Sequence, residues 1–197
     1  MTKYEKLFQL LKENNGYLFT SQVIESDISK TYLARFVKEN NLEKVAHGVY
    51  VEAGVWPDEL YLLQLKNPKI VFSGETALYL NLLVDREYNE VCVTVPTGHN
   101  GSRLRERGVQ VHEEKEEIFE LGVIEVETNF GHKVRTYNEE RCICDLVTNR
   151  GKIEVQQFQT AMKGYMGRRE KDLSRLMAYA EKMKIRDEVM KYVEVLV

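Results

Sequence analysis

Cysteine and proline are scarce in this 197-residue chain, three of each, and tryptophan occurs once. Cys92, Cys142 and Cys144 are an odd set with no C-x-x-C pair. That spacing argues against a disulfide framework, a zinc ribbon and a dithiol redox site. On a helix Cys142 and Cys144 point about 200° apart, so they neither bond each other nor share one metal. They read as small buried apolar side chains in a reducing compartment. No apolar run approaches the ~20 residues that a membrane crossing takes. The opening Met1-Thr2-Lys3-Tyr4-Glu5-Lys6 enters an amphipathic pattern at once and leaves no apolar core for a signal peptide, so a cytoplasmic location without membrane contact is expected. There is no general excess of positive charge either: 28 basic side chains face 31 acidic ones, a net charge of −3.

What is present describes a folded protein, with 43% hydrophobic and 30% charged residues. The charges segregate along the chain. Residues 1–52 carry seven basic and seven acidic side chains, residues 53–129 seven and fourteen, and residues 130–186 thirteen and seven. The last of these blocks is a candidate surface for a polyanion.

The first fifty residues divide into three short helices and a hairpin. Tyr4, Leu7, Phe8, Leu10 and Leu11 recur at helical spacing until Asn14-Asn15-Gly16 stops the run. Thr20-Ser21 is placed to cap a second helix through Glu25, Ser26-Asp27 makes a turn, and Ser29 caps a third helix from Lys30 to about Asn40. At 100° per residue, Leu33, Phe36 and Val37 share one face of that third helix, with Thr31, Ala34, Arg35 and Lys38 opposite and Lys30 and Tyr32 on the flanks. Arginine pairs with guanine through two hydrogen bonds, and lysines neutralise phosphates, so this polar face suits a major groove. Leu42–Val45 and Val49–Val51 then flank Ala46-His47-Gly48 as a β-hairpin, which puts Lys44 and His47 on a wing beside the helix. This order predicts a winged helix-turn-helix over residues 1–52.

Glu52–Asp58 interrupts the pattern and marks the expected boundary with a second domain, 53–197. There the spacing predicts helices over 58–66 and 74–83, the latter capped by Ser73. It predicts strands at 70–72, 90–96 and 109–112, and a hairpin of 123–128 with 132–137. Helices near 138–148, 154–166, 170–183 and 186–196 follow. The expected fold class is α+β: a winged helix-turn-helix, then a mixed α/β domain with a helical carboxy-terminal tail.

Enzyme chemistry finds little support. Thr97-Gly98-His99-Asn100-Gly101-Ser102 lacks the order of a phosphate-binding loop, and no G-x-G-x-x-G occurs. Gly101-Ser102 leads to Arg103-Leu104-Arg105 and not to paired aspartates, unlike a nucleotidyltransferase. His47, His99, His112 and His132 are isolated, without the spacing of a metal site. Glu113-Glu114 and Glu116-Glu117 around Lys115 read as a solvated acidic turn, and Arg141 with Asp145 as an ordinary ion pair four residues apart. No catalytic residue, metal or cofactor is expected. A second basic group is Arg150, Lys152, Lys163, Arg168, Arg169, Lys171 and Arg175, an auxiliary surface for nucleic acid or an acidic partner.

Three segments carry a resemblance: Val45-Ala46-His47-Gly48-Val49-Tyr50-Val51, then Phe72-Ser73-Gly74-Glu75-Thr76-Ala77-Leu78-Tyr79, then Arg135-Thr136-Tyr137-Asn138-Glu139-Glu140-Arg141-Cys142-Ile143-Cys144-Asp145-Leu146. In that order they resemble the AbiEi family, antitoxins of type IV abortive-infection toxin–antitoxin systems of phage defence. The resemblance implies an autorepressor that binds inverted repeats of double-stranded DNA in its own promoter, with pairs of protomers on the repeats. It also implies a nucleotidyltransferase-like toxin as functional partner, opposed without a stable complex. The competing expectation is a protein-interaction or ligand-sensing regulator without sequence-specific DNA binding, and a remoter one is a metal-dependent nuclease.

Overall fold

A computed structural model describes residues 1–196, and Val197 lies outside the described residues. It is a mixed α+β structure in which the chain makes two compact units: Met1–Asn67 with Glu127–His132, and Pro68–Val126 with the chain from Lys133 onward. The fold has the same class and nearly the same succession of elements that the spacing predicts.

In the first unit, α1 (Lys3–Glu13) begins with a reciprocal cap. The Thr2 hydroxyl accepts the Glu5 N–H, and the Glu5 carboxylate accepts the Thr2 N–H. β1 (Tyr17–Phe19), α2 (Thr20–Glu25), α3 (Lys30–Glu39), β2 (Glu43–Ala46) and β3 (Val49–Val51) follow. The strands form an antiparallel sheet in the order β1-β3-β2, with a bulge between Lys44 and Ala46. Leu7 and Leu11 of α1, Val23 of α2 and Leu33 and Phe36 of α3 close on Leu18, Ile28 and Leu42 as one core. Each such side chain contributes about 1.5–3 kcal/mol by leaving water. One expected cap is absent: α2 starts directly from the strand with no side-chain cap, and the Thr20 N–H donates instead to the Gly48 carbonyl at 2.8 Å. The hairpin tip thus gives the first N–H of α2 an acceptor.

This unit continues beyond Glu52. α4 (Glu59–Lys66) is capped by Asp58, whose carboxylate accepts the Tyr61 N–H at 3.1 Å, and Leu62 packs with Tyr17, Val49 and Val51. Asp58 is 1% exposed and His132 7%. The Asp58 carboxylate accepts the Thr128 hydroxyl at 2.5 Å and lies 3.0 Å from His132 Nδ1, while its N–H donates to the Tyr17 hydroxyl at 2.8 Å. The His132 ring stacks on Tyr61 with centroids 4.3 Å apart. Residues 127–132 join the first unit through this buried polar cluster.

The second unit contains β4 (Val71–Phe72), α5 (Gly74–Leu80), β5 (Cys92–Pro96), α6 (Ser102–Arg105), β6 (Gln110–Glu114), α7 (Glu116–Phe119), β7 (Val123–Glu127) and β8 (Lys133–Tyr137). These strands make a sheet in the order β6-β5-β4-β8-β7, antiparallel between β4 and β5 and parallel for β4–β8 and β5–β6. α8 (Glu139–Thr148), a 3-10 turn (Arg150–Lys152), α9 (Val155–Met166), α10 (Leu173–Lys182) and α11 (Arg186–Leu196) complete it. Ile143, Met162, Tyr165, Leu176, Ala180 and Val189 are the centre of the helical core.

Two departures from the expected pattern are local. α5 ends at Leu80 and not at Leu83, because the Asn81 side chain donates to the Ala77 and Tyr137 carbonyls and Leu82 turns left-handed at φ 55°. Ser73 does not cap α5 through its side chain. The four-residue helices α6 and α7 were not expected, since one turn is too short to show a repeat.

Candidate nucleic-acid interface

The interface rests on how α2 and α3 are joined. Asp27 stands between them at φ 57°, a left-handed turn that an aspartate tolerates better than most side chains. The Ser29 hydroxyl then accepts the Tyr32 N–H at 3.3 Å and starts α3, as its sequence position suggests. Leu33 and Phe36 face inward, where the Phe36 ring meets Tyr4 at 4.9 Å and Phe8 at 5.1 Å between centroids. With that side anchored, Lys30, Thr31, Ala34, Arg35 and Lys38 are all exposed. The two faces follow the helical wheel, with Val37 only partly buried.

Tyr32 belongs less to that surface. It is half-buried, edge-on to Tyr4 at 6.5 Å, with the Lys3 ammonium 6.0 Å from its ring centre. Arg35 is not a bare cation: its Nε donates to Glu39 at 2.7 Å, with its side chain 76% exposed, and the Tyr4 hydroxyl donates to the same carboxylate. The Arg35 hydrogen bond, followed by that from Tyr4, lowers the Glu39 carboxyl below its ordinary range. Glu39 escaped the sequence reading, although its position four residues after Arg35 is the ordinary signal for such a pair. Lys44 and His47 are exposed on the β2–β3 hairpin, whose turn needs Gly48 at φ 71°.

The auxiliary basic residues of the second unit fare differently from one another. Arg150 lays its guanidinium 4.4 Å from the centre of the Phe158 ring. Arg168 pairs with Glu139 and donates to the carbonyls of Asn81 (2.7 Å) and Leu82 (2.9 Å). Lys171 donates to the Arg168 carbonyl at 3.2 Å, and Arg175 pairs with Asp172 at 3.2 Å and Glu140 at 3.7 Å. These four brace the helices around them. Lys152, Lys163 and Arg169 are exposed and make no ion pair among the described residues.

Reactive groups elsewhere are quiet. Burial pushes the Cys144 thiol up to about 12 and the Cys142 thiol well above its ordinary value, so neither is a thiolate near neutrality. Among the described residues no cluster of three or more His, Cys, Asp or Glu side chains is arranged to hold a metal ion, and no helix is long and apolar enough to cross a membrane.

Residues 5–53 match the family described as "Transcriptional regulator, AbiEi antitoxin". No curated protein matches the chain. Among solved structures, the crystal structure of the RV2827C protein from Mycobacterium tuberculosis is similar over 98% of this chain and 82% of its own, with a TM-score of 0.52 and 9% sequence identity. At that identity the likeness is one of fold. The match over 5–53 runs from within α1 through β3, the elements that carry the exposed helix face and the hairpin, and over those residues the chain is similar to the AbiEi antitoxin transcriptional regulators.

Proposed function

We propose that the first unit is a winged helix-turn-helix that binds double-stranded DNA, and that the protein is an antitoxin repressing its own operon at inverted repeats in the promoter. α3 enters the major groove with Thr31, Arg35 and Lys38 toward the bases and phosphates and Lys30 and Tyr32 beside them. Lys44 and His47 on the hairpin meet the flanking backbone. The observation that carries this reading is the exposed Thr31-Ala34-Arg35-Lys38 face on a helix whose other side is locked by Leu33 and Phe36, within the segment that matches a regulator family. Ala34 keeps that face low, so the helix backbone can approach a duplex closely.

The small number of cations makes each protomer a modest binder. Two protomers on an inverted repeat multiply that affinity, and Lys163 and Arg169 of the second unit are the auxiliary cations open to phosphates. The functional partner in this reading is a nucleotidyltransferase-like toxin, opposed in phage defence without a stable complex.

The test is fluorescence anisotropy on a promoter fragment carrying the repeat, compared with scrambled DNA. Arg35→Ala is expected to cost ~1–3 kcal/mol on the repeat and nearly nothing on scrambled DNA, as for a residue that reads a base. Equal affinity of wild type and variant for the repeat removes Arg35 from base reading. Absence of any preference for the repeat by the wild type rejects the repressor reading and favours a regulator that acts without sequence-specific DNA binding.

A further inference from the structure

The second unit carries a partly open pocket of about 420 Å³ lined by its own residues. Its size is in the roughly 300–1,000 Å³ range of small-molecule sites. One wall comes from the parallel pair β5–β6, where Cys92 lies opposite Gln110 and Thr94 opposite His112. Strand alternation turns these positions to one face. α8 contributes Arg141 and Asp145, one helical turn apart, and the start of α5 contributes Ser73 and Glu75.

The charges in this cavity do not balance. Arg141 is 2% exposed and donates to Asp145 at 2.9 Å and to Glu114 at 3.3 Å, and both carboxylates line the cavity. One guanidinium between two carboxylates leaves a negative charge over. Glu75 adds a second, since its carboxylate makes no ion pair among the described residues. Glu113 pairs outward with Arg105, which leaves Lys152 as the opposing cation on the lining. Ser73 is an independent sign of a missing partner. It is 3% exposed and lines the same cavity, yet its hydroxyl oxygen has no hydrogen-bond partner. Buried hydroxyls are ordinarily paired. No Phe, Tyr or Trp ring lines the space, so nothing there would sandwich a planar base.

We propose that this cavity binds a small aliphatic amine cation, its ammonium groups held by Glu75, Glu114 and Asp145, with one N–H donated to the Ser73 hydroxyl. Ammonium groups give the donors that these carboxylates accept, and their positive charge offsets the carboxylate excess. The proposal stands independently of DNA binding, because it concerns other residues and needs no nucleic acid.

Spermidine is the probe, added to the full chain without DNA at constant ionic strength and followed by calorimetric titration and thermal unfolding. Sodium chloride of equal ionic strength and inorganic phosphate are the comparison arms. Spermidine is expected to bind with measurable heat and raise the melting temperature, while neither comparison arm does. Glu75→Gln is expected to weaken binding about tenfold, the cost of losing one charged hydrogen bond. Ser73→Ala is expected to melt no lower than wild type without spermidine, because a buried hydroxyl without a partner costs stability, and to bind spermidine more weakly. Binding unchanged by both substitutions means that spermidine coats the acidic exterior, and this overturns the proposal. Absence of heat, or stabilisation by phosphate in its place, overturns it equally.

Discussion

Arg35 and Arg141 are both arginines with carboxylates beside them, yet burial gives them opposite tasks. Arg35 is solvated, and its bond to Glu39 four residues on is an exposed pair that water screens. Such a pair orients the guanidinium without binding it tightly enough to resist a guanine edge. Arg141 is buried, stacks 4.4 Å from the Tyr137 ring centre, and donates to Asp145, Glu114 and the carbonyls of Ile118 and Leu121. Removing it strands two carboxylates and two carbonyls. Arg141→Ala is therefore expected to destabilise the protein by roughly 3–5 kcal/mol in urea denaturation followed by circular dichroism. An Arg35→Ala variant, measured the same way, should be nearly as stable as wild type and far more stable than Arg141→Ala. Reversal of that order would mean that the Arg141 cluster is not a structural brace. The sequence shows Arg141 and Asp145 as a pair four residues apart, but nothing in the spacing tells a buried pair from an exposed one.

At the scale of elements, the placement of α3 depends on small devices at its start. Ser29 supplies the hydroxyl that accepts the Tyr32 N–H, and Asp27 supplies the left-handed turn just before it. Ser29→Ala is expected to cost about 1 kcal/mol of stability, the usual worth of an N-cap, and Ser29→Asp to recover it. A thermal melt of the three proteins checks this, and an alanine variant as stable as wild type would show that the cap adds nothing. The β2–β3 hairpin has a comparable device in Gly48, whose carbonyl accepts the Thr20 N–H and so ties the hairpin to the start of α2. Both devices were partly visible beforehand: Ser29 as a capping residue and Gly48 as a turn residue. The bond from Thr20 to Gly48 was not visible, because it joins residues whose proximity is created by the sheet.

At the scale of the whole molecule, the chain crosses three times between two compact units, and residues 127–132 are the second visit to the first of them. The Asp58 carboxylate is central to the contacts that hold that visit, beside the His132 ring stacked on Tyr61. Asp58 meets the Thr128 hydroxyl and His132 across 70 and 74 residues of sequence. Asp58→Ala is expected to cost roughly 2–4 kcal/mol, since it leaves a buried hydroxyl and a buried imidazole without their partner. Limited proteolysis should then cut near 127–132 sooner than in wild type, and an unchanged cleavage pattern would count against the cluster as the latch. The net charge of −3 belongs to this scale too. It means that DNA affinity, if the repressor reading holds, comes from a local patch and falls with salt by the few phosphates that patch meets.

The sequence by itself determined the longer elements. Periodicity and capping are local properties, so helix and strand limits were legible to within a few residues, and the exposed face of α3 followed from the angle per residue alone. Tertiary structure alone decided the sheet orders, the return of 127–132 to the first unit, and the cavity beneath β5 and β6. It also decided that Arg150, Arg168, Lys171 and Arg175 brace their own unit while Lys152, Lys163 and Arg169 stay exposed. The reason is physical. A charged side chain far along the chain carries no mark of the carboxylate or carbonyl that will meet it, and only the packing of nonlocal segments brings the two within bonding distance.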